Sequence, residues 1–189
     1  MALRTKEALA EALKKLLNRR PLDKITVKDI VEEAGVNRQT FYYHFQDIYD
    51  LLRWMFEQRA QEMLARVRDE KSLQEEFAEV LCIIQNEKPL ILNAYRSVSR
   101  EHLEQYILAF LERFLRPMLE ADPLSAKLTE EEQTFILNFY KHALVGLLVG
   151  WIREGMKGEA DLLTERTHRL MDGEVHRALL RFLEEKEGT

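Results

Sequence analysis

Apolar side chains recur every three or four residues along almost the whole chain, which is the spacing of helices buried on one face. Leu9, Leu13, Leu16 and Leu17 share one side of a first helix over residues 3–18. Arg19-Arg20-Pro21 ends it, because the residue before a proline is pushed out of the helical region. Ile25, Ile30, Val31 and Ala34 mark a short second helix, and Phe41 and Phe45 the inner side of a third. Asp47 is placed to cap a fourth, with Ile48, Leu51, Leu52, Met55 and Phe56 facing inward as far as residue 68 or so. Ser72 and Glu75 have capping-box spacing at the head of a fifth, and Glu87-Lys88-Pro89 breaks it from a short sixth ending near residue 98. Leu103, Tyr106, Ile107, Phe110, Leu111 and Phe114 form one face over 101–116, where Pro117 predicts an interruption or an end. Thr129 and Glu132 open the longest apolar helix, over about 130–154, and a last one occupies 161–185 with a bend at Gly173. No strand pattern longer than a few residues occurs, so the expected fold class is all-α with about nine helices.

The stretch TVKDIVEEAGVNRQTFYYHF, residues 26–45, is the most informative. Thr26 and Asp29 have the spacing of a capping box, Gly35 supplies a left-handed helix stop, and Asn37 is a good cap for the next helix. The result is two short helices around a tight turn, a helix-turn-helix with residues 38–44 as the outward-facing second helix. With Phe41 and Phe45 turned inward, Arg38, Gln39, Tyr42 and Tyr43 fall largely on other faces. Two tyrosines, an arginine and a glutamine suit base edges, thymine methyls and phosphates. Arg38 has the chemistry for a bidentate guanine contact and Gln39 for adenine, and each could equally reach only the backbone.

The run AGVNRQTFYYHFQDIYDLL, residues 34–52, resembles the signature of the TetR family of bacterial regulators. More loosely, the FQDIYDLL ending and the later Tyr…Gly…Trp…Gly run are similar to the subgroup containing dihydroxyacetone kinase operon activators. The resemblance implies a three-helix DNA-binding domain over 1–46 and a helical ligand-sensing and dimerisation domain over 47–189. It implies a DNA-facing set of Thr26, Lys28, Asn37, Arg38, Gln39, Thr40, Tyr42, Tyr43 and His44. Many relatives carry a lysine at the start of the fourth helix, and here Gln46-Asp47-Ile48-Tyr49-Asp50 has none, which puts a phosphate contact there in doubt. A small effector in the second domain would be lined by Trp54, Met63, Phe77, Cys82, Tyr95, Tyr106, Phe110, Phe139 and Tyr140, residues that ordinary core packing also explains. In the activator subgroup the effector can instead be a protein.

Phe135, Ile136, Phe139, Tyr140, Leu144, Leu147, Leu148 and Trp151 make a stripe too wide for one packing face. It predicts a homodimer through the last two long helices, with Leu144, Leu147, Leu148, Trp151, Leu170, Leu179 and Phe182 at the interface and Gly146 and Gly150 allowing close approach. Such a dimer sets two recognition helices about 34–36 Å apart on duplex DNA.

Composition narrows the function. The 189 residues are 46% hydrophobic, ample for a core, and no uninterrupted apolar run approaches membrane-spanning length. The single cysteine, Cys82, excludes an internal disulfide and zinc-finger spacing, and a reducing cytoplasm is the expected compartment. His102, His142, His168 and His176 have no metal-ligand spacing among themselves, so no metal or other cofactor is expected. No phosphate-binding glycine run or nucleophile elbow is present and the carboxylates are spaced like solvated helix faces, so an enzyme is not expected. The net charge is −5; residues 1–50 hold nine basic and eight acidic side chains, and the remainder 19 and 25. That predicts few phosphate contacts per subunit on an operator. It leaves open an alternative, a helical co-regulator that binds a partner protein in place of DNA.

Overall fold

The computed structural model describes residues 2–67, 73–97, 100–158 and 160–187. All regular structure among them is helical: α1 (Ala2–Leu17), α2 (Val27–Ala34), α3 (Arg38–His44), α4 (Ile48–Val67), α5 (Leu73–Asn86), α6 (Lys88–Tyr95), α7 (Arg100–Ala121), α8 (Glu130–Arg153), α9 (Ala160–Met171) and α10 (Glu174–Glu187). Short 3-10 turns occupy Leu22–Lys24 and Ser125–Lys127. Taking α9 and α10 as the one expected last helix gives the expected nine. Gly173, at φ 69°, ends that helix outright, because a left-handed residue cannot continue a right-handed ladder. Pro117 does the opposite of what its type predicts and lies inside α7. Leu115 before it and Leu119 after it are both buried, and that packing carries the helix across the missing N–H. The capping role expected of Ser72 lies outside the described residues.

The chain forms two compact units, Met1–Ala65 with Ile84–Tyr106, and Arg66–Ile83 with Ile107–Thr189. The first is wider than the DNA-binding segment expected from sequence. Its core joins Leu9, Leu13 and Leu17 of α1 to Ile30, Phe41, Leu51, Leu52 and, from α6, Leu90 and Ala94. α6 also ties down the end of α1: Asn93 Nδ2 donates to the Leu17 carbonyl at 2.8 Å, satisfying one of the orphan acceptors of the last turn. Glu87, ahead of α6, pairs with Lys14 at 3.4 Å and with Arg59 of α4.

In the second unit Leu111, Phe114, Leu115 and Leu119 of α7 and Ile136, Leu137, Leu144, Leu148 and Trp151 of α8 are buried. Thr129 and Glu132 form the expected capping box at the head of α8. Glu112 accepts from Arg116 on its own helix and from Lys141 of α8. Burial pushes its carboxyl up, and the two cations outweigh that and hold it below the usual carboxylate range. Asp122 beyond α7 meets His176 Nδ1 of α10 at 2.7 Å.

By length and composition α8 could cross a membrane, a capacity that no unbroken apolar run in the sequence announces, and 44% of its most apolar window is buried inside the protein. Part of its remaining apolar surface is a single exposed stripe. Phe135 and Phe139 are 63% and 65% exposed and Leu147 44%, and Ala143 and Gly146 continue the row in the open. Apart from the adjoining residues and backbone of α8 itself, no atom of the described structure lies within 4 Å of where a Cβ would stand on Gly146 or Gly150.

Candidate nucleic-acid interface

Local chemistry builds the helix-turn-helix. The Thr26 hydroxyl oxygen accepts from the Asp29 N–H at 3.3 Å, and Asp29 Oδ2 accepts from the Thr26 N–H at 2.8 Å. Thr26 hydrogen bonds, with Arg20 at 3.1 Å, hold the Asp29 carboxyl below its ordinary value. Gly35, at φ 68°, closes α2 in the left-handed region. Asn37 Oδ1 accepts from the Thr40 N–H at 2.7 Å and starts α3. Asp47 Oδ1 then accepts from the Asp50 N–H at 2.8 Å, and Asp50 Oδ2 from the Gln46 N–H at 3.1 Å, fixing the turn into α4.

Within α3 the faces separate cleanly. Phe41 is fully buried, with Phe45 just beyond it, and their ring centroids are 6.0 Å apart. Arg38, Gln39, Tyr42 and Tyr43 are exposed, Tyr43 at 82% and Tyr42 at 50%. The Arg38 guanidinium lies over the Tyr42 ring, 5.6 Å from its centroid, and Nη2 donates to the Tyr42 hydroxyl at 3.3 Å. The Tyr43 and His44 rings meet edge to face at 4.9 Å. Thr40 and His44 are half-buried, and Thr26, Lys28 and Asn37 are exposed on α2 and its flanks. The expected DNA-facing residues are therefore accessible on α2, the turn and α3. Thr26, Asn37 and Thr40 also spend polar atoms on caps.

The cations around this face are largely paired. Arg20 meets Asp29 at 3.1 Å, Lys15 and Arg19 meet Glu33 at 3.5 and 3.9 Å, and Lys28 meets Glu32 at 3.7 Å. Lys6 stands over the rings of Phe45 and Trp54, 5.3 and 5.9 Å from their centroids. Tyr49, near the start of α4, is half exposed.

The expected effector-lining residues are divided between the two units. Trp54, Met63, Tyr95 and Tyr106 belong to the first; Trp54 packs on Phe45 and Tyr106 on Phe56, with centroids 6.0 and 5.8 Å apart. Burial raises the Tyr106 hydroxyl above its ordinary value. Phe77, Cys82, Phe110, Phe139 and Tyr140 belong to the second unit, where Phe110 stacks on Phe114 and Phe77 lines a cavity. Cys82 and Phe139 are both exposed. Helical spacing places a side chain on a face but does not say which face is covered.

The expected dimer residues divide between buried and accessible positions. Leu144, Leu148, Trp151 and Leu179 are buried in their own chain's core, so they offer no surface to a copy. Leu147 and Leu170 are exposed, and Phe182 packs beside Phe135 at 6.1 Å.

Comparison with known proteins agrees with this geometry. Residues 9–55 match the family model described as bacterial regulatory proteins, tetR family, and residues 71–173 match one described as a transcriptional regulator C-terminal region. The chain is 38% identical over 60 residues to the HTH-type dhaKLM operon transcriptional activator DhaS of Lactococcus lactis; the match spans 32% of each protein, about a third of that relative's length. In structure it is similar to a dihydroxyacetone kinase operon activator DhaS, with a TM-score of 0.62 at 21% identity over 95% of this chain and 96% of the other. A TetR transcriptional regulator from Streptococcus agalactiae gives 0.61 at 22% identity over 87% and 92%. At such identities the structural likeness speaks for the fold. A fully buried Phe41 beneath an open arginine-tyrosine face, with family matches across both the helix-turn-helix and the helical region after it, leads to one conclusion: the chain belongs to the TetR family of bacterial regulatory proteins.

Proposed function

We propose that the protein is a dimeric, sequence-specific DNA-binding regulator whose operator affinity is set by an effector acting on its C-terminal domain. The observation that carries this reading is the exposed face of α3. A helix of seven residues that buries only Phe41 displays Arg38, Gln39, Tyr42 and Tyr43, side chains that read base edges and phosphates. On this reading residues 1–46 bind DNA and residues 47–189 sense and dimerise. Thr26, Lys28, Asn37, Thr40 and His44 complete the DNA-facing set. Arg38 stacked on Tyr42 is held ready in the free protein, which lowers the ordering cost of a base contact.

The dimer face on this reading is the open stripe of α8, Phe135, Phe139, Ala143, Gly146 and Leu147, joined by Phe182 of α10. Its small residues let a second helix approach closely. The test is a fluorescence-anisotropy titration with the duplex upstream of the protein's own gene. Tyr42→Ala should weaken binding by roughly 10- to 100-fold, the worth of a good base contact, while helicity and sedimentation stay unchanged. Equal binding by the wild type and Tyr42→Ala would remove α3 from the interface.

One observation favours a second reading. Lys15, Arg19, Arg20 and Lys28 pair with acids of their own unit, which leaves few cations for phosphate. A co-regulator that docks a protein through the same aromatic face would show no salt-dependent DNA binding at all.

A further inference from the structure

The cations of the first unit fall into two sets. Six of the nine basic side chains in residues 1–50 pair with an acid of the same unit. A phosphate approaching one of those meets a carboxylate along with the cation, and the two forces oppose each other. Arg4, Lys6 and Arg38 remain, with no ion pair among the described residues. Arg38 rests on Tyr42 in the reading helix. Arg4 is exposed, and no contact among the described residues fixes its guanidinium.

Lys6 is placed by its surroundings. Its Nζ lies 5.3 Å from the Phe45 ring centroid and 5.9 Å from that of Trp54. Phe45 closes α3 and Trp54 stands in the second turn of α4, so the ammonium sits beside the junction of those helices. Asp50 belongs to the same junction. Its carboxyl is held below the ordinary value first by the hydrogen bond from Arg53, and the Lys6 charge adds to that. Both Asp50 oxygens are already engaged, Oδ1 by Arg53 at 2.5 Å and Oδ2 by the Gln46 N–H at 3.1 Å. Asp50 therefore answers Arg53 and leaves most of the Lys6 charge uncompensated. A cation resting on aromatic faces gives up little when it turns to an anion, because a hydrogen bond between two charged groups is the stronger interaction.

The position suits duplex DNA. α3 has seven residues, about 10 Å of helix, and the major groove is about 12 Å wide. A helix of that length seated in the groove has phosphates near both of its ends. Arg38 opens α3 and Lys6 stands beside its last turn, so the uncommitted cations bracket the reading helix. Asp47, exposed at the same junction, repels a strand passing there, which makes a cation at this end necessary. Lys6 is half-buried, its stem available to pack on the rings while the ammonium stays at the surface.

We propose that Lys6 of α1 donates to an operator phosphate beside the C-terminal end of α3, leaving the Phe45 and Trp54 rings to do so. The proposal rests on the reading that α3 binds duplex DNA, and it extends that interface to a helix outside the helix-turn-helix. Periodicity along α1 marks Lys6 only as a polar position, and it is packing that brings it over Phe45.

The experiment is a set of fluorescence-anisotropy titrations of the full chain at salt concentrations from about 50 to 200 mM. Wild type and variants are titrated with the duplex upstream of the protein's own gene and with an unrelated duplex of equal length. Lys6→Met keeps an unbranched apolar chain on the rings and removes the charge. It should weaken binding to both duplexes by the same factor. The slope of log affinity against log salt should become shallower by about 2 for a dimer, one phosphate per subunit. Lys6→Gln, also uncharged, should give the same shift, and Lys6→Arg should keep the wild-type slope. Lys14→Met removes a charge of the same helix that faces Glu87, and it should leave the slope unchanged. Urea midpoints report folding, since a lysine that only clamps α1 to the rings would lower the midpoint of Lys6→Met without moving the slope. The proposal is overturned if Lys6→Met and Lys6→Gln keep the wild-type slope, if Lys14→Met lowers it equally, or if Lys6→Arg loses as much as Lys6→Met. Wild-type protein that shows no salt-dependent binding to either duplex removes the DNA-binding reading and Lys6 with it. Loss of operator binding in Tyr42→Ala beside an unchanged slope in Lys6→Met removes the lysine alone.

Discussion

Asn37 and Asp29 decide whether the reading helix is presented at all. Asn37 supplies the cap of α3, so Asn37→Ala should cost about 1 kcal/mol of stability, measured by urea unfolding, and should blunt DNA binding beyond that through fraying of Arg38 and Gln39. The Asp29 carboxyl is held below its ordinary value by Thr26 and Arg20. A carboxylate whose folded value is depressed contributes stability in full above its unfolded value, about pH 4, and loses it as pH falls through the lower folded value. The protein should therefore lose stability as pH falls below about 4, and Asp29→Asn should flatten that fall in a series of unfolding curves. Asp122, depressed by His176, titrates in the same direction, so the flattening is partial. At this scale the sequence was readable wherever a short-range rule governs. Thr26, Asn37, Asp47 and Gly35 each do what their spacing implies, because a cap acts over three or four residues.

Helices are where local rules and packing compete. Pro117 was expected to interrupt or end α7, but buried Leu115 and Leu119 carry the helix through it. Pro117→Ala should restore the missing backbone donor and raise the unfolding free energy by about 1–3 kcal/mol, read as an increased urea midpoint. Gly173 goes the other way, since its positive φ makes a break of the expected bend. Gly173→Ala should cost roughly 1–2 kcal/mol, visible in the same assay. On α8 the apolar stripe was legible as too wide for one face, but not which half lies inside. Leu144, Leu148 and Trp151 fell inward and Phe135, Phe139 and Leu147 outward. Leu147→Glu should accordingly give a monomer in sedimentation velocity at micromolar concentration with unchanged helicity. Trp151→Ala should destabilise the chain itself by about 3–5 kcal/mol.

For the whole molecule, charge sets the expected behaviour on DNA. With a net charge of −5 and most cations near α3 tied to Glu32, Glu33 and Asp29, few phosphates can be neutralised. If each subunit releases counterions from about two or three phosphates, the slope of log affinity against log salt should be about −4 to −5 for a dimer. A steep slope near −10 would point to phosphate contacts absent from this picture. Shallow electrostatics place more of the affinity in base contacts and in pairing two half-sites, which is why a monomeric variant should lose most of its operator binding.

Amino-acid order alone determined the helical class, the helix-turn-helix with its caps, and the open chemistry of Arg38, Gln39, Tyr42 and Tyr43, because each depends on residues within a turn or two of one another. Tertiary structure decided the rest: that α6 closes the core of the first unit, that half of the α8 stripe is exposed, and that Thr164 and Thr167 are buried. Those outcomes depend on which surfaces from distant parts of the chain meet. Helical periodicity assigns side chains to faces, but only packing says which faces are covered.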